Sequence, residues 1–424
     1  MPAVGGLGIA VAWQVAATLA APGLRLMLRR RVGRGKEIAS RLPERRGVEA
    51  SPRPPGRLIW IHAASVGETV SVLPVLEALR NQAVTVLTTT GTVASAKLLL
   101  QRCPDALHRF VPLDVPRWVA RFLDHWRPDA AAFLESELWP NMLAAGRRRG
   151  VPLMLLNGRL SARSQAGWAR APGFARRVVG AFDSVWAQSD ADAERLRSLG
   201  GHAVTSPGNL KFAAAPLPAD AAELARLGAL LGDRPRWLAA STHPGEEAIA
   251  AAIHRRLLPD HPALLTGIAP RHPDRGPAIA GDLGAPRRGA GQDPPEGGLW
   301  VADGLGEMGL LYRLFPTVFI GKSLSADGGG QNPLEPARLG CSLAAGPAMA
   351  NQADAAAILT RAGGLVTVAD EAALAAWVDL QLRDPRARQA AGQAAQAAAG
   401  ADADLPRRAA EALLAMSDQG RRAG

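Results

Sequence analysis

The sequence predicts an α/β protein built of two doubly wound domains. Three observations carry this reading. Short strand-like runs alternate with helix-like stretches, they fall into two series, and the 424 residues exceed what one ordinary core holds. The first series is Leu58 to Ile61, Val84 to Leu87, Arg109 to Pro112, Ala130 to Leu134, Leu153 to Leu156 and Ser184 to Ala187. Most have the continuous apolar character of strands buried on both faces. Ala213 to Ala219, AAAPLPA, has linker composition and separates the series. Trp237 to Ala240, Ala263 to Ile268, Leu299 to Ala302, Val318 to Ile320 and Ser342 to Ala345 form the second. Gly284 to Gly298 reads as an exposed loop. From about Arg383 an Ala-, Arg- and Gln-rich tail reads as helices closing the second domain, with a return to the first domain as the alternative. The expected division is 1–34, 35–212 and 213–424.

Residues 1–34 read as a membrane anchor followed by basic residues. Pro2 to Leu24 is uncharged and would span about 34 Å as one helix, enough for a bilayer core. Arg25, Arg29, Arg30 and Arg31 follow it, an order unlike a secretory signal and one that leaves the rest of the chain on the cytoplasmic side. Gln14, Thr18, Pro22-Gly23 and the glycines at 5, 6 and 8 weaken a spanning helix, so an interfacial anchor competes with it. Residues 1–57 hold eleven Lys/Arg against three Glu, a net of +8, so the other 367 residues carry only +3 of the total +11. That distribution favours an anionic membrane surface as partner and gives no nucleic-acid signal. The two cysteines, Cys103 and Cys341, fit a reducing compartment and form no zinc pattern.

Several motif matches fail. Gly321-Lys322-Ser323 ends like a P-loop, but Pro316 stands where its first glycine must be. The eight histidines have no ligand spacing, and no metal is expected. What remains is a set of polar clusters just after predicted strands, where open α/β sheets bind ligands. The first half supplies Ser65 to Glu68, Thr88 to Thr92, Glu135 to Asn141 and Asn157 to Ser164; the second supplies Ser241 to Glu246, Pro270 to Pro273, Asp303 to Gly309 and Gly328 to Pro336.

IWIHAASVGE, residues 59–68, is the most informative of these stretches. An apolar strand runs into a sharp turn and then a helix from Thr69 to Arg80, with Glu68 in the first turn. Exposed N–H groups there favour an ionised carboxylate, which can accept a proton. The same position also suits a plain helix-start acid worth about 0.3–1 kcal/mol. Its dipole environment predicts a lowered pKa, which weakens Glu68 as a base unless burial by the substrate offsets it. In the second half Gly328 to Gly330 allows close backbone approach, Asn332-Pro333 suits a helix start, Glu335 can accept from ribose hydroxyls, and Arg271 offers a fork for phosphate.

IHAASVGE, ESELWPN, NGRLSARS, GNLKF, STHPGEE, PRHP, GEMGLLY and GGGQNPLEPA, in that order, resemble the 3-deoxy-D-manno-octulosonic acid (Kdo) transferases of glycosyltransferase family 30. The resemblance covers residues from about 24 to 385. It implies a GT-B architecture, two Rossmann-like domains facing a central cleft, with an N-terminal membrane-anchor helix. It further implies CMP-Kdo as donor, a lipid A precursor as acceptor, no cofactor and no metal. Residue by residue, Glu68 matches the family's general base, and Glu135 and Lys211 match residues that support the transition state. Pro270, Arg271, Leu305, Gly306, Glu307, Asn332, Pro333, Leu334 and Glu335 match CMP-binding positions. The chain departs where Lys322 replaces a common glycine and Gln331 a common histidine, and Gly158 stands where alanine is usual. A UDP-sugar transferase acting on another lipid and a catalytically inactive membrane scaffold are the competing expectations.

Overall fold

A computed structural model describes residues 3–213, 216–325 and 327–423. The chain divides into two compact units, Met1–Ala214 with Asp402–Gly424, and Ala215–Ala401. The expected third segment, 213–424, therefore does not stay together at its C-terminal end. Helix Leu405–Ala423 packs on the first unit, where Leu405, Ala409, Ala410 and Leu413 enter the same apolar cluster as Ile59, Ile61, Val72 and Val75. The tail's apolar residues are spaced for one helix face, and the sheet of the first unit has that face to cover.

The first unit is a parallel sheet of seven strands: β1 (Leu58–Ala63), β2 (Thr85–Thr90), β3 (Leu107–Phe110), β4 (Ala130–Leu134), β5 (Leu153–Gly158), β6 (Ser184–Ala187) and β7 (Val204–Thr205). Their order is β3-β2-β1-β4-β5-β6-β7. The second unit holds β8 (Arg236–Thr242), β9 (Leu265–Pro270), β10 (Gly298–Val301), β11 (Thr317–Ile320), β12 (Ser342–Ala345) and β13 (Leu365–Thr367), ordered β10-β9-β8-β11-β12-β13. Six strands of each sheet thus follow the same 3-2-1-4-5-6 Rossmann order. Every residue of β1, β4, β5 and β9 is buried, the consequence of helices on both sheet faces. Strand order reverses between β1 and β4 and again between β8 and β11, and ligands of such sheets sit outside the strand C-termini at these points.

Two expectations need correction. The run placed at Arg109 to Pro112 pairs as Leu107–Phe110, because Leu87 to Thr90 of β2 sets that register and Pro112 has no N–H to donate. The apolar N-terminal stretch does not stop at Pro22-Gly23. It forms one helix, α1 (Ala3–Gly33), long and apolar enough to cross a membrane by length and composition. The basic residues in its last turns and after it divide by environment. Arg25, Arg29, Arg30, Arg34 and Lys36 are exposed, whereas Arg45 is buried and pairs with Glu37 at 3.1 Å.

Candidate functional site

In the first unit the candidate residues gather where the strand order reverses. β1 ends at Ala63, and helix α2 (Val66–Arg80) begins after an extended Ser65. The Ser65 hydroxyl caps the helix by accepting from the Glu68 N–H at 3.2 Å, and it donates to Glu68 Oε1 at 2.7 Å. Oε2 accepts from the Ala64 N–H at 2.8 Å. Ser65-Val66-Gly67-Glu68 is thus a variant of the capping box, readable from its S-x-x-E pattern, in which the carboxylate reaches the N–H of Ala64, one residue before the cap. The carboxylate is only 7% exposed. Burial raises the Glu68 pKa above the usual carboxylate value, opposed by the Ser65 and Ala64 hydrogen bonds. The expectation of a dipole-lowered pKa is therefore overturned: desolvation outweighs the helix N-terminus.

Across the reversal, β4 leads into Glu135, whose backbone is left-handed at φ 51°. Its Oε1 lies 2.6 Å from Lys211 Nζ, an ion pair set at an angle outside the hydrogen-bonding range. Lys211 is delivered by a short 3-10 turn, Leu210–Phe212, held twice at its N-terminal end. Asn157 Oδ1 accepts from the Leu210 N–H at 2.9 Å, and Asp402 Oδ2 from the Asn209 N–H at 2.8 Å. The structure thus brings Glu135 and Lys211 together from positions 76 residues apart in sequence. Glu137, two residues on, was passed over by sequence reasoning. It faces His62 Nε2 at 3.4 Å and takes the Trp139 indole N–H. Burial opposes ionisation of Glu137, but His62 and Trp139 outweigh it and hold the group below the usual range. Its negative charge in turn helps keep the Glu68 pKa high.

In the second unit Pro270 ends β9 and is buried, while Arg271 is exposed with its backbone N–H on Thr242 O at 3.0 Å. Leu305 is 89% exposed beside Gly306 at φ 79°. Glu307 starts helix Met308–Leu314 and is held by Arg288 through two bonds of 3.0 and 2.8 Å. Asn332 bridges the next helix, Leu334–Arg338: its Oδ1 accepts from the Leu334 N–H at 3.0 Å and its amide donates to Glu335 Oε1 at 3.2 Å. Pro333 and Leu334 have buried side chains. Burial raises the Glu335 pKa, opposed by Asn332, Arg338 and Arg271. The proximity of Arg271 to Glu335 joins two clusters that are distant in sequence.

Four non-glycine residues with left-handed backbones mark the same strand ends: Glu135, Asn157 at 57°, Ser241 at 56° and Lys322 at 57°. Asn157 and Ser241 sit at register shifts in β5 and β8, the signature of bulges that re-aim side chains. Each conformation costs on the order of 1 kcal/mol, which the surrounding structure must offset.

Glu246 explains how it does so in the second unit. This buried carboxylate starts helix Glu246–Leu257 and accepts from the His243 and Lys322 N–H groups at 2.9 and 2.8 Å and from Ser323 at 3.2 Å. It thereby ties the loop after β8 to the loop after β11. Glu246→Ala leaves three backbone donors without this acceptor, and the expected loss is on the order of 3 kcal/mol of stability. Urea unfolding of the full chain measures it. Among the described residues no group of three His, Cys, Asp or Glu is arranged to hold a metal ion.

Residues 40–214 match the family described as 3-deoxy-D-manno-octulosonic-acid transferase (kdotransferase). The chain is 34% identical over 349 residues to a probable mitochondrial 3-deoxy-D-manno-octulosonic acid transferase of Arabidopsis thaliana, spanning 77% of this chain and 76% of that one. It is 34% identical over 406 residues to the 3-deoxy-D-manno-octulosonic acid transferase of Bordetella pertussis, spanning 91% and 93%. Among solved structures, a UDP-GlcNAc 2-epimerase from Neisseria meningitidis superposes with TM-score 0.55 at 13% identity, covering 85% of this chain and 100% of that one. At that identity the likeness is one of fold, the paired Rossmann-like units of the GT-B class.

Proposed function

Because the chain belongs to the 3-deoxy-D-manno-octulosonic acid transferase family, a family of glycosyltransferases, we propose that it moves Kdo from CMP-Kdo to a lipid A precursor (lipid IVA) in lipopolysaccharide core biosynthesis. The reaction is inverting and metal-independent, with Glu68 as general base. The observation that carries the assignment of the base is the buried Glu68 carboxylate, fixed by Ser65 and Ala64 and desolvated enough to raise its proton affinity. A primary hydroxyl of the acceptor attacks the anomeric carbon of Kdo. Its proton passes to Glu68, the new C–O bond forms, and CMP leaves with the electron pair of the broken bond on its phosphate oxygen. Lys211 and Glu135 support the charge that develops in the transition state. Arg271, Glu335, Asn332 and the neighbouring Pro270, Pro333 and Leu334 hold CMP, together with Leu305, Gly306 and Glu307. The N-terminal helix attaches the protein to the cytoplasmic membrane with both units on the cytoplasmic side.

Mass spectrometry of the lipid product after incubation with CMP-Kdo tests donor, acceptor and number of sugars together. A lipid A precursor carrying added Kdo is the expected result. Incorporation from a UDP-sugar instead, or no transfer from an intact fold, overturns the proposal, and displacement of a bound probe by UDP but not CMP does the same for the donor.

The pH profile follows from the Glu68 environment. Glu68 must be ionised to take a proton, so transfer falls as pH drops through its folded pKa, which lies above the usual carboxylate value. Glu137→Gln removes a neighbouring negative charge and lowers that pKa. The acid limb of the rate profile is therefore expected to move to lower pH in this variant, read from single-turnover rates across the acid range.

A further inference from the structure

Helix α1 is clamped to the first unit along nearly all of its length. Gly6 lies so close to Gly173 that a Cβ would overlap its backbone, and Ala10 packs on the unit's core. The Trp13 indole donates to Asp114 Oδ2 at 3.1 Å, the Arg25 guanidinium stands over the Trp118 ring at 5.9 Å, and Leu28 is 2% exposed. Positions 6 and 28, which are buried, and 10, 14, 17, 21 and 24, which are half-buried, form one seam at helical spacing. From Gly6 to Leu28 that seam runs about 33 Å, as long as a bilayer hydrocarbon core is thick.

A helix crossing the bilayer would take its neighbours with it. Helices Pro116–Trp126 and Pro172–Val179 flank α1 and carry Arg117, Arg176 and Arg177 exposed. Such groups do not enter hydrocarbon without a partner or a water-filled cavity. The rest of α1 is apolar and open: Leu7, Ile9, Val11, Val15, Leu19 and Leu26 are between 43% and 75% exposed. Arg29 and Arg30 extend this surface with uncovered positive charge.

We propose that α1 lies flat in the headgroup region of an anionic phospholipid membrane, bound lengthwise to the first unit, and does not cross the bilayer. The proposal rests on the membrane attachment inferred above and specifies its geometry. One side of the helix is the domain's own packing surface, the other meets acyl chains, and the arginines meet lipid phosphates.

The test places Gly8→Cys, where the structure leaves open space, in a full-length chain carrying Cys103→Ser. A membrane-impermeant maleimide is applied to inverted inner-membrane vesicles and to spheroplasts, with Gly33→Cys as the marker of the catalytic side. Labelling of Gly33→Cys in inverted vesicles alone is expected, with Gly8→Cys, on the face turned to acyl chains, protected in both preparations until detergent is added. Labelling of Gly8→Cys in spheroplasts alone means that α1 spans, which overturns the geometry but keeps membrane attachment. Separately, the purified chain is expected to float with phosphatidylglycerol-containing vesicles. Arg29→Gln and Arg30→Gln should each weaken that binding by on the order of fivefold. A chain that transfers Kdo yet ignores such vesicles, or whose α1 face instead pairs with a second copy, overturns the attachment itself.

Discussion

Glu68→Gln is expected to slow Kdo transfer by about 10²–10⁴-fold while leaving the fold and CMP binding intact. The amide keeps an oxygen to accept from the Ala64 N–H, so the capping box survives in large part. What it loses is the ability to take the acceptor's proton. A Glu68 that served only as a cap would give the opposite pattern, about 1 kcal/mol of lost stability with turnover preserved. Single-turnover rates beside urea midpoints separate the two, and near-normal turnover in this variant would remove Glu68 from the base role.

Lys211→Ala should lower kcat by about 10²–10³-fold with a smaller change in donor KM, as for a fixed charge that acts on the transition state. The ammonium is 2.6 Å from Glu135 and the turn that carries it is anchored by Asn157 and Asp402, so its position is set before substrate arrives. With the lysine side chain 37% exposed, its pairing with Glu135 contributes little to stability. Loss of rate without loss of fold is therefore the expected signature. Lys211→Arg should recover part of the rate, since it keeps the charge but not the geometry. A variant that unfolds earlier but turns over normally would make the pair structural. Glu135→Gly adds a second view: it relieves the left-handed backbone, so stability should hold while rate falls.

The fold was legible where burial on both faces forces long apolar runs. β1, β4 and β5 stood out for that reason, and with them the position of Glu68 after β1. β7 and β13 did not, being strands of two and three residues at sheet edges, with Val366 45% exposed and no apolar run to mark them. The candidate site was legible as clusters after strands and through ordered motifs, but pairing was not. That Glu135 meets Lys211, or that Glu137 meets His62, depends on strand register and on a turn fixed from elsewhere in the chain. Glu246 was missed as an organising residue because a sequence does not reveal that a carboxylate is buried on three backbone donors. The sign of the Glu68 shift was misread for the same reason: its helix position is visible in the sequence, its desolvation is not.

The return of helix Leu405–Ala423 to the first unit fixes the order in which the protein can be finished. During synthesis the second unit, Ala215–Ala401, leaves the ribosome complete while one face of the first sheet still lacks one of its covering helices. The α2 helix that bears Glu68 at its start packs against this helix, so part of its apolar face stays open until residues 405–423 emerge. A nascent chain halted near residue 401 would therefore hold a finished second unit and an unfinished first one. Cleavage at the linker would likewise leave the two parts joined through the tail rather than release them as separate halves.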